Sequence, residues 1–138
     1  MAKVFISFDW DNDRDYRNLL SAFTANPKMD ITFEDSTPGA IDTSDVGRVK
    51  AVLTTKIRDA SHTLVLIGKF ANTRHHDSAL IGTRNWQWWE IEKSIAEGNK
   101  LLGVKLASDN DAPTPLLNAG AKWASYSVDA IATALRIP

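Results

Sequence analysis

Short apolar runs of strand-forming residues alternate along this chain with stretches of helical periodicity. The runs are KVFISF, HTLVLIG and KLLGVKL, at residues 3–8, 62–68 and 100–106, with a shorter one in DITFED at 30–35. Runs that are apolar at almost every position are typical of strands buried on both faces. Strands that alternate with helices predict right-handed crossovers. The expected fold class is α/β, a flavodoxin-like doubly wound parallel sheet with helices on both faces.

The polar stretches between these runs predict the helices and their caps. Asn12 is placed to cap a first helix and Ser127 the last one. Ser44 is placed to cap a second helix, in which Val46, Val49, Leu53 and Ile57 share one face. Another helix is expected at about 86–97, and KWASYS is a candidate for a short edge strand. No internal repeat is visible, so a single domain over residues 1–138 is expected.

Composition excludes several classes of function. The formal net charge is -1, which gives no general attraction to nucleic acid, and the absence of cysteine excludes disulfides and thiolate metal sites. The first apolar run is too short for a signal sequence or a membrane span. We expect a cytoplasmic protein with neither nucleic acid nor membrane as a partner.

Ligands of doubly wound sheets bind outside the carboxyl ends of the strands, where the strand order reverses. The first such loop, DWDNDRD, has no glycine to cradle a phosphate, and the third strand lacks the aspartate of a response regulator. RHHD at 74–77 offers adjacent histidines that are expected to project differently, so no metal site is predicted. Asp9 and Asp11 resemble the paired aspartates of a magnesium-dependent phosphatase, but Asp13 stands where that family has a small residue. Asp13 itself is interpreted as a charge that stabilises a helix start.

NWQWWEIEKSI, at residues 85–95, is the most unusual stretch of the chain. At 100° per residue, Trp88, Ile91 and Ile95 share one side and are expected to face the core. Trp86 and Glu90 then fall on the opposite side, one turn apart. Pairing of Glu90 with a nearby lysine is the structural alternative. Glu90 nevertheless stands at the ligand-binding edge, where a carboxylate can stabilise an oxocarbenium-like state in cleavage of a bond to a ribose carbon.

Several of these segments together resemble the TIR-like domains of bacterial antiphage systems, closest to the ThsB type of the Thoeris system. They are KVFISFDWDND, DSTPGA, HTLVLIG and NWQWWEIEKSIAEGNKLLGVKL. The most specific part is a tryptophan, three residues, Glu-Ile, then Lys-Ser-Ile and Gly-Asn-Lys, which begins at Trp86. Gln87 and Trp89 depart from the pattern.

The resemblance implies an enzyme that splits NAD⁺ between nicotinamide and ribose, with Glu90 catalytic. It also implies a cyclic ADP-ribose product that acts on a separate effector protein, NAD⁺ as substrate, and no cofactor. Substrate-binding residues are expected after the first strand, in a mobile loop at 35–39 and at the start of the tryptophan helix: Phe8, Asp9, Trp10, Asp35, Ser36 and Trp86.

A non-catalytic TIR-type module is the alternative function. TIR folds also act as adaptors, and Trp86 and Trp89 are candidates for an exposed contact patch through which a homo-oligomer forms. The magnesium phosphatase built on Asp9 and Asp11 is a third interpretation.

Overall fold

The computed structural model of the protein describes residues 2–9, 12–13, 15–16, 31–35 and 45–136. Within them, five strands form one sheet: β1 (Ala2–Ser7), β2 (Ile31–Asp35), β3 (His62–Ile67), β4 (Lys100–Lys105) and β5 (Lys122–Ser125). The strand order is β2-β1-β3-β4-β5, and every neighbouring pair is parallel. This flavodoxin-like doubly wound order reverses between β1 and β3 and confirms the predicted fold class.

The helices between and after the strands are α1 (Val46–Asp59), α2 (Ser78–Ile81), α3 (Trp86–Ala96), α4 (Thr114–Leu117) and α5 (Val128–Arg136). In addition, residues 12–13 and 15–16 are helical. None of the described helices is long and apolar enough to cross a membrane.

Local hydrogen bonds decide where these helices begin. Ser127 caps α5 as predicted, because its hydroxyl accepts a bond from the Ala130 amide at 3.1 Å. The cap of α1 is Asp45, not the predicted Ser44, since the Asp45 carboxylate accepts from the Arg48 amide. The prediction for Asn12 is also wrong, because Asn12 is itself helical and the next amide, that of Asp13, donates to the Asp9 carbonyl at 2.7 Å.

Side chains of β1 alternate between two separate apolar clusters, one on each face of the sheet. Val4, Ile6 and Phe8 join a cluster that α5 covers with Ile131 and Leu135. On the other face, Phe5 packs against α1, and further along the sheet Val65 and Ile67 pack against α3 and α4. Helix α3 therefore lies on the face of the sheet opposite to α5.

Candidate active site

Helix α3 starts at the carboxyl edge of the sheet because Asn85 ties it there. The Asn85 side-chain oxygen accepts from the Trp88 amide at 2.9 Å and caps the helix. Its side-chain nitrogen donates to the carbonyls of Ala71 and Thr73, each at 2.9 Å, in the loop that leaves β3. The first turns of α3 are thereby held beside the end of β3, as the sequence predicts.

The buried face of α3 is not the predicted one. Gln87, Glu90, Ile91 and Ser94 are the buried residues of the helix. Their spacing of i, i+3, i+4 and i+7 is a single helical stripe. In contrast, Ile95 is 45% exposed and Trp88 is half-buried. The prediction that Trp88 and Ile95 face the core while Glu90 faces away is therefore wrong, because three of the four buried positions carry polar side chains.

Glu90 is 1% exposed, and its carboxylate accepts a hydrogen bond from the Ser7 hydroxyl at 2.7 Å. Ser7 is the last residue of β1 and is itself fully buried. The alternative pairing with Lys93 is not observed, since the Lys93 ammonium lies 3.5 Å from Glu97 instead. Glu90 is therefore a carboxylate fixed at the end of a central strand and not a solvated helix charge.

Gln87 joins α3 to both strands at the point where the strand order reverses. Its side-chain nitrogen donates to the Leu66 carbonyl at 2.8 Å and to the Ser7 carbonyl at 3.2 Å. These carbonyls belong to the second-to-last residue of β3 and to the last residue of β1. Although Gln87 departs from the pattern that the resemblance suggests, it holds the strand ends on which Ser7 and Glu90 depend.

The polar row continues along α3 toward its carboxyl end. The Ser94 hydroxyl donates to the Glu90 carbonyl at 2.8 Å and lies 2.7 Å from the Thr63 hydroxyl of β3. Asn99 donates to the same Thr63 oxygen at 3.2 Å. Helix α3 thus packs on β1 and β3 through a line of hydrogen bonds, with Ile91 as its one buried apolar side chain.

The tryptophans of α3 have different environments from those predicted. Trp86 and Trp89 meet edge to face, 6.0 Å between ring centroids, and pack against the cluster formed by Phe5 and α1. Both rings are half-buried and do not form the exposed patch that the adaptor hypothesis used. Trp88 faces the long loop, where its indole nitrogen donates to Asn72 at 2.9 Å and the Arg84 guanidinium lies 5.2 Å from its ring.

Other predicted site residues lie around the same edge but not all beside Glu90. Phe8 is 3% exposed in the cluster on the α5 face, opposite to the face that carries Glu90. The Asp9 carboxylate accepts from the Asn12 amide at 2.6 Å. Asp35 ends β2 in register with Ile6. The Asp35 side chain, Trp10, Ser36 and Asp11 lie outside what the structure describes, so their roles, and the phosphatase pairing of Asp9 with Asp11, stay predictions.

A cleft of about 680 Å³ opens at this edge between the segments that follow β1, β3 and β4. Glu90 does not line it, but Asp13 does. Asp13 is 6% exposed, and its burial together with the neighbouring Asp9 raises its pKa to about 6. The sequence interprets Asp13 as a charge that stabilises a helix start, but it is buried and its raised pKa disfavours the charged form. Sequence reasoning missed this position because its burial depends on Gly68, far along the chain.

The RHHD segment contains the one group of three side chains in the described ranges whose ligand atoms approach closely enough for a metal ion. The rings of His75 and His76 stack 4.2 Å apart, so the expectation that they project differently is wrong. The Nδ1 of His75 already accepts from the Asp77 amide at 2.9 Å, which holds the loop.

Solved structures confirm the fold at low sequence identity. A 2-deoxyribosyltransferase from Leishmania mexicana is 14% identical, with 99% of each chain covered and a TM-score of 0.61. A prokaryotic SEFIR domain is 12% identical, with 99% of this chain and 94% of that chain covered and a TM-score of 0.59. A CMP N-glycosidase from Clostridium botulinum is 8% identical over 98% of this chain and 99% of that chain, with a TM-score of 0.56. Among curated proteins, no sequence matches significantly.

The sequence match to a known family is more specific than these likenesses. Residues 5–111 match the family described as Thoeris protein ThsB, TIR-like domain. The matched range runs from β1 through α3 to the far side of the cleft and includes Ser7, Gln87 and Glu90. The chain therefore belongs to the Thoeris ThsB family of TIR-like domains.

Proposed function

We propose that this domain cleaves NAD⁺ between nicotinamide and ribose, with Glu90 as the catalytic residue, and closes the product into a cyclic ADP-ribose. One observation carries the proposal. The Glu90 carboxylate is buried and fixed by Ser7 at the end of β1, where doubly wound sheets bind their ligands. Burial of a carboxyl group costs free energy, so its presence at this edge favours a functional role.

The chemistry requires little more than one well-placed carboxylate. When the bond between the ribose carbon and the pyridinium nitrogen breaks, its electron pair returns to nicotinamide, which leaves as a neutral molecule. No acid is needed for the leaving group. The ribosyl carbon gains positive charge, which a fixed carboxylate stabilises, as in other glycosidic cleavages. A nucleophilic atom of the same molecule then forms the new bond to that carbon, and any proton it carries passes to Glu90 or to solvent.

Exclusion of water favours cyclisation over hydrolysis. Glu90 is 1% exposed in the absence of substrate, so few water molecules reach the carbon beside it. Substrate entry must displace side chains that cover the carboxylate, a step of the kind that often limits turnover. A nucleophile supplied by the substrate itself is then better placed than bulk water.

Two structural neighbours have names that agree with chemistry at a glycosidic carbon, a 2-deoxyribosyltransferase and a CMP N-glycosidase. The family match supports the biological setting, in which the cyclic product acts on a separate effector protein during antiphage defence. NAD⁺ is the substrate in this proposal, and no cofactor takes part. We place the reaction in the cytoplasm, where NAD⁺ is available.

Incubation of the purified protein with NAD⁺, followed by mass spectrometry, tests the proposal. We expect free nicotinamide and a cyclic product from the wild type. Glu90→Gln should lower the rate of release by about 100-fold or more, because removal of one electrostatic group in a dry site has effects of that size. Glu92→Gln is the matched control, since Glu92 is an exposed carboxylate on the same helix. Equal rates for Glu90→Gln and the wild type would defeat the role of Glu90.

A second candidate is a TIR-type module that signals by self-association without catalysis. The same burial that favours chemistry also suits a structural role, in which Glu90 and Ser7 only join α3 to β1. Ile95, which is 45% exposed on the outer face of α3, offers an apolar contact for a second copy. Loss of self-association in Ile95→Asp, with no detectable binding of NAD⁺ by the wild type, would favour this candidate.

A further inference from the structure

The cleft that Asp13 lines is separate from Glu90 yet lies at the ends of the same two strands. Asp13 and Tyr16 come from the segment after β1, Gly68 and Asn72 from the segment after β3, and Asn110 from the segment after β4. The Asn72 side chain also accepts a hydrogen bond from the indole nitrogen of Trp88, and this bond connects the cleft with the first turn of α3. A volume of about 680 Å³ lies within the range of small-molecule sites.

The Asp13 carboxyl group packs directly against the backbone of Gly68. A Cβ atom built at Gly68 would lie 2.0 Å from the Asp13 Oδ2, so glycine at this position makes room for the carboxyl group. The same Oδ2 is buried and has no hydrogen-bond partner among the described residues. Buried polar atoms without partners are rare and point to a ligand that completes them.

The charge of the cleft restricts what that ligand is. Among the described residues that line it, Asp13, Asp109 and Asp111 are acidic and Lys69 is the one cation. This balance disfavours a phosphate group. These three aspartates do not form a group with metal-ligand spacing, since the described residues contain only one such group and it lies at 75–77. Acidic side chains in the cleft favour a ligand that carries hydrogen-bond donors.

Tyr16 gives the cleft an aromatic wall that is fixed in place. It is 40% exposed, and its ring meets that of Tyr126 edge to face at 5.5 Å. The Tyr126 hydroxyl also donates to the Tyr16 carbonyl at 2.6 Å. An exposed ring held by a neighbour in this way offers stacking to a flat heterocycle.

We propose that this cleft binds the adenine base of the dinucleotide, with Asp13 pairing to the base edge that carries the exocyclic amine and Tyr16 beside the ring. The identity of the ligand rests on the proposed function, but the chemistry of recognition does not. The pKa of Asp13 is about 6, so its carboxyl group keeps its proton more readily than an ordinary aspartate. Near and below pH 6 the protonated carboxyl group offers one donor and one acceptor, the pair that an amide presents to adenine.

Binding of adenosine and purine riboside to the wild-type protein tests this site without any turnover. Purine riboside has the same sugar and ring system but carries hydrogen in place of the exocyclic amine. In a titration near pH 6 followed by amide NMR, adenosine should shift the Gly68 and Asn110 signals, with purine riboside bound about tenfold more weakly. Equal affinity for the two nucleosides, or no shifts in the cleft, would overturn the proposal.

Variants of Asp13 complete the test. Asp13→Asn keeps one donor and one acceptor and should bind adenosine within about threefold of the wild type, whereas Asp13→Leu should lose about tenfold. Asp15→Asn, an exposed neighbour, is the control. If Asp13→Leu fails to fold, Gly68→Ala displaces the same carboxyl group and should show the same loss. Unchanged affinity in the folded variant would contradict the proposal.

The two proposals fail in different ways. If the protein binds adenosine selectively but does not release nicotinamide from NAD⁺, the catalytic role of Glu90 is rejected and the adenine site is retained. Release of nicotinamide without adenosine selectivity would reject the adenine site alone.

Discussion

The two faces of the sheet are packed by different chemistry. On one face, α5 buries Ile131 and Leu135 against apolar side chains of β1, β3 and β4. On the other, α3 buries Gln87, Glu90 and Ser94, which hydrogen-bond to β1 and β3. Apolar burial stabilises in proportion to area, whereas buried hydrogen bonds contribute little net stability and are costly when broken. The comparison indicates that α5 stabilises the domain through apolar burial, whereas α3 carries the polar side chains of the proposed site.

The largest effect on stability is expected on the apolar face. Ile131 is fully buried, so Ile131→Ala should lower the free energy of unfolding by about 3 kcal/mol through lost burial and the cavity left behind. Denaturant unfolding measures this. Because Ile131 does not touch the polar row, the rate of nicotinamide release per folded molecule should stay at the wild-type level. A large loss of rate in the folded variant would break the proposed division between the faces.

The polar face should respond less in stability. Gln87→Leu removes the hydrogen bonds that the side chain donates to the Ser7 and Leu66 carbonyls. Each of these carbonyls then lacks one donor, so the free energy of unfolding should fall by about 2 kcal/mol. The rate should also fall, since the strand end that positions Ser7 is released. The same unfolding and turnover measurements apply. A variant with lower stability and an unchanged rate would show that Gln87 is only structural.

Ser7→Ala should separate positioning from stability more sharply. Loss of the hydroxyl removes one bond to Glu90 and should cost about 1 kcal/mol in stability, with a decrease in kcat of about tenfold. Ser7→Thr keeps a hydroxyl and should recover part of the rate. If Ser7→Ala lowers stability alone, Ser7 has no part in orienting the carboxylate.

The last prediction concerns Asp13 and the pH dependence of stability. Its pKa rises from 3.8 to about 6 on folding because of burial and Asp9, so the folded protein binds this proton more tightly than the unfolded chain. The stability that this proton contributes is present at low pH and is lost as the pH rises toward 6 and above. Asp13→Asn removes the dependence. The Tm of the variant relative to the wild type should therefore be higher at about pH 7 than at about pH 4; an identical difference at both pH values would contradict the assignment.

Much of the fold could be predicted from the sequence because the apolar face follows simple periodicity. The runs at β1, β3 and β4, the Ser127 cap and the position of Glu90 after the loop from β3 all have local signals. The orientation of α3 has none, because hydrophobicity selects Trp88 and Ile95 while the buried stripe is mostly polar.

Contacts between distant segments account for what the sequence did not reveal. Ser7 and Glu90 are 83 positions apart, and the burial of Asp13 depends on the missing Cβ of Gly68. Neither pairing leaves a periodic pattern in the chain. A polar stripe at i, i+3, i+4 and i+7 was the one signal for the buried face, and it is indistinguishable in sequence from a solvated face.

The central claim is that the buried carboxylate of Glu90 serves chemistry and not stability. Unfolding and nicotinamide release measured on one preparation of Glu90→Gln test it most directly. We expect the free energy of unfolding to stay within about 1 kcal/mol of the wild type or to rise, because a buried charge is replaced by a neutral amide, while release falls about 100-fold or more. A clear loss of stability with unchanged release per folded molecule would contradict the claim.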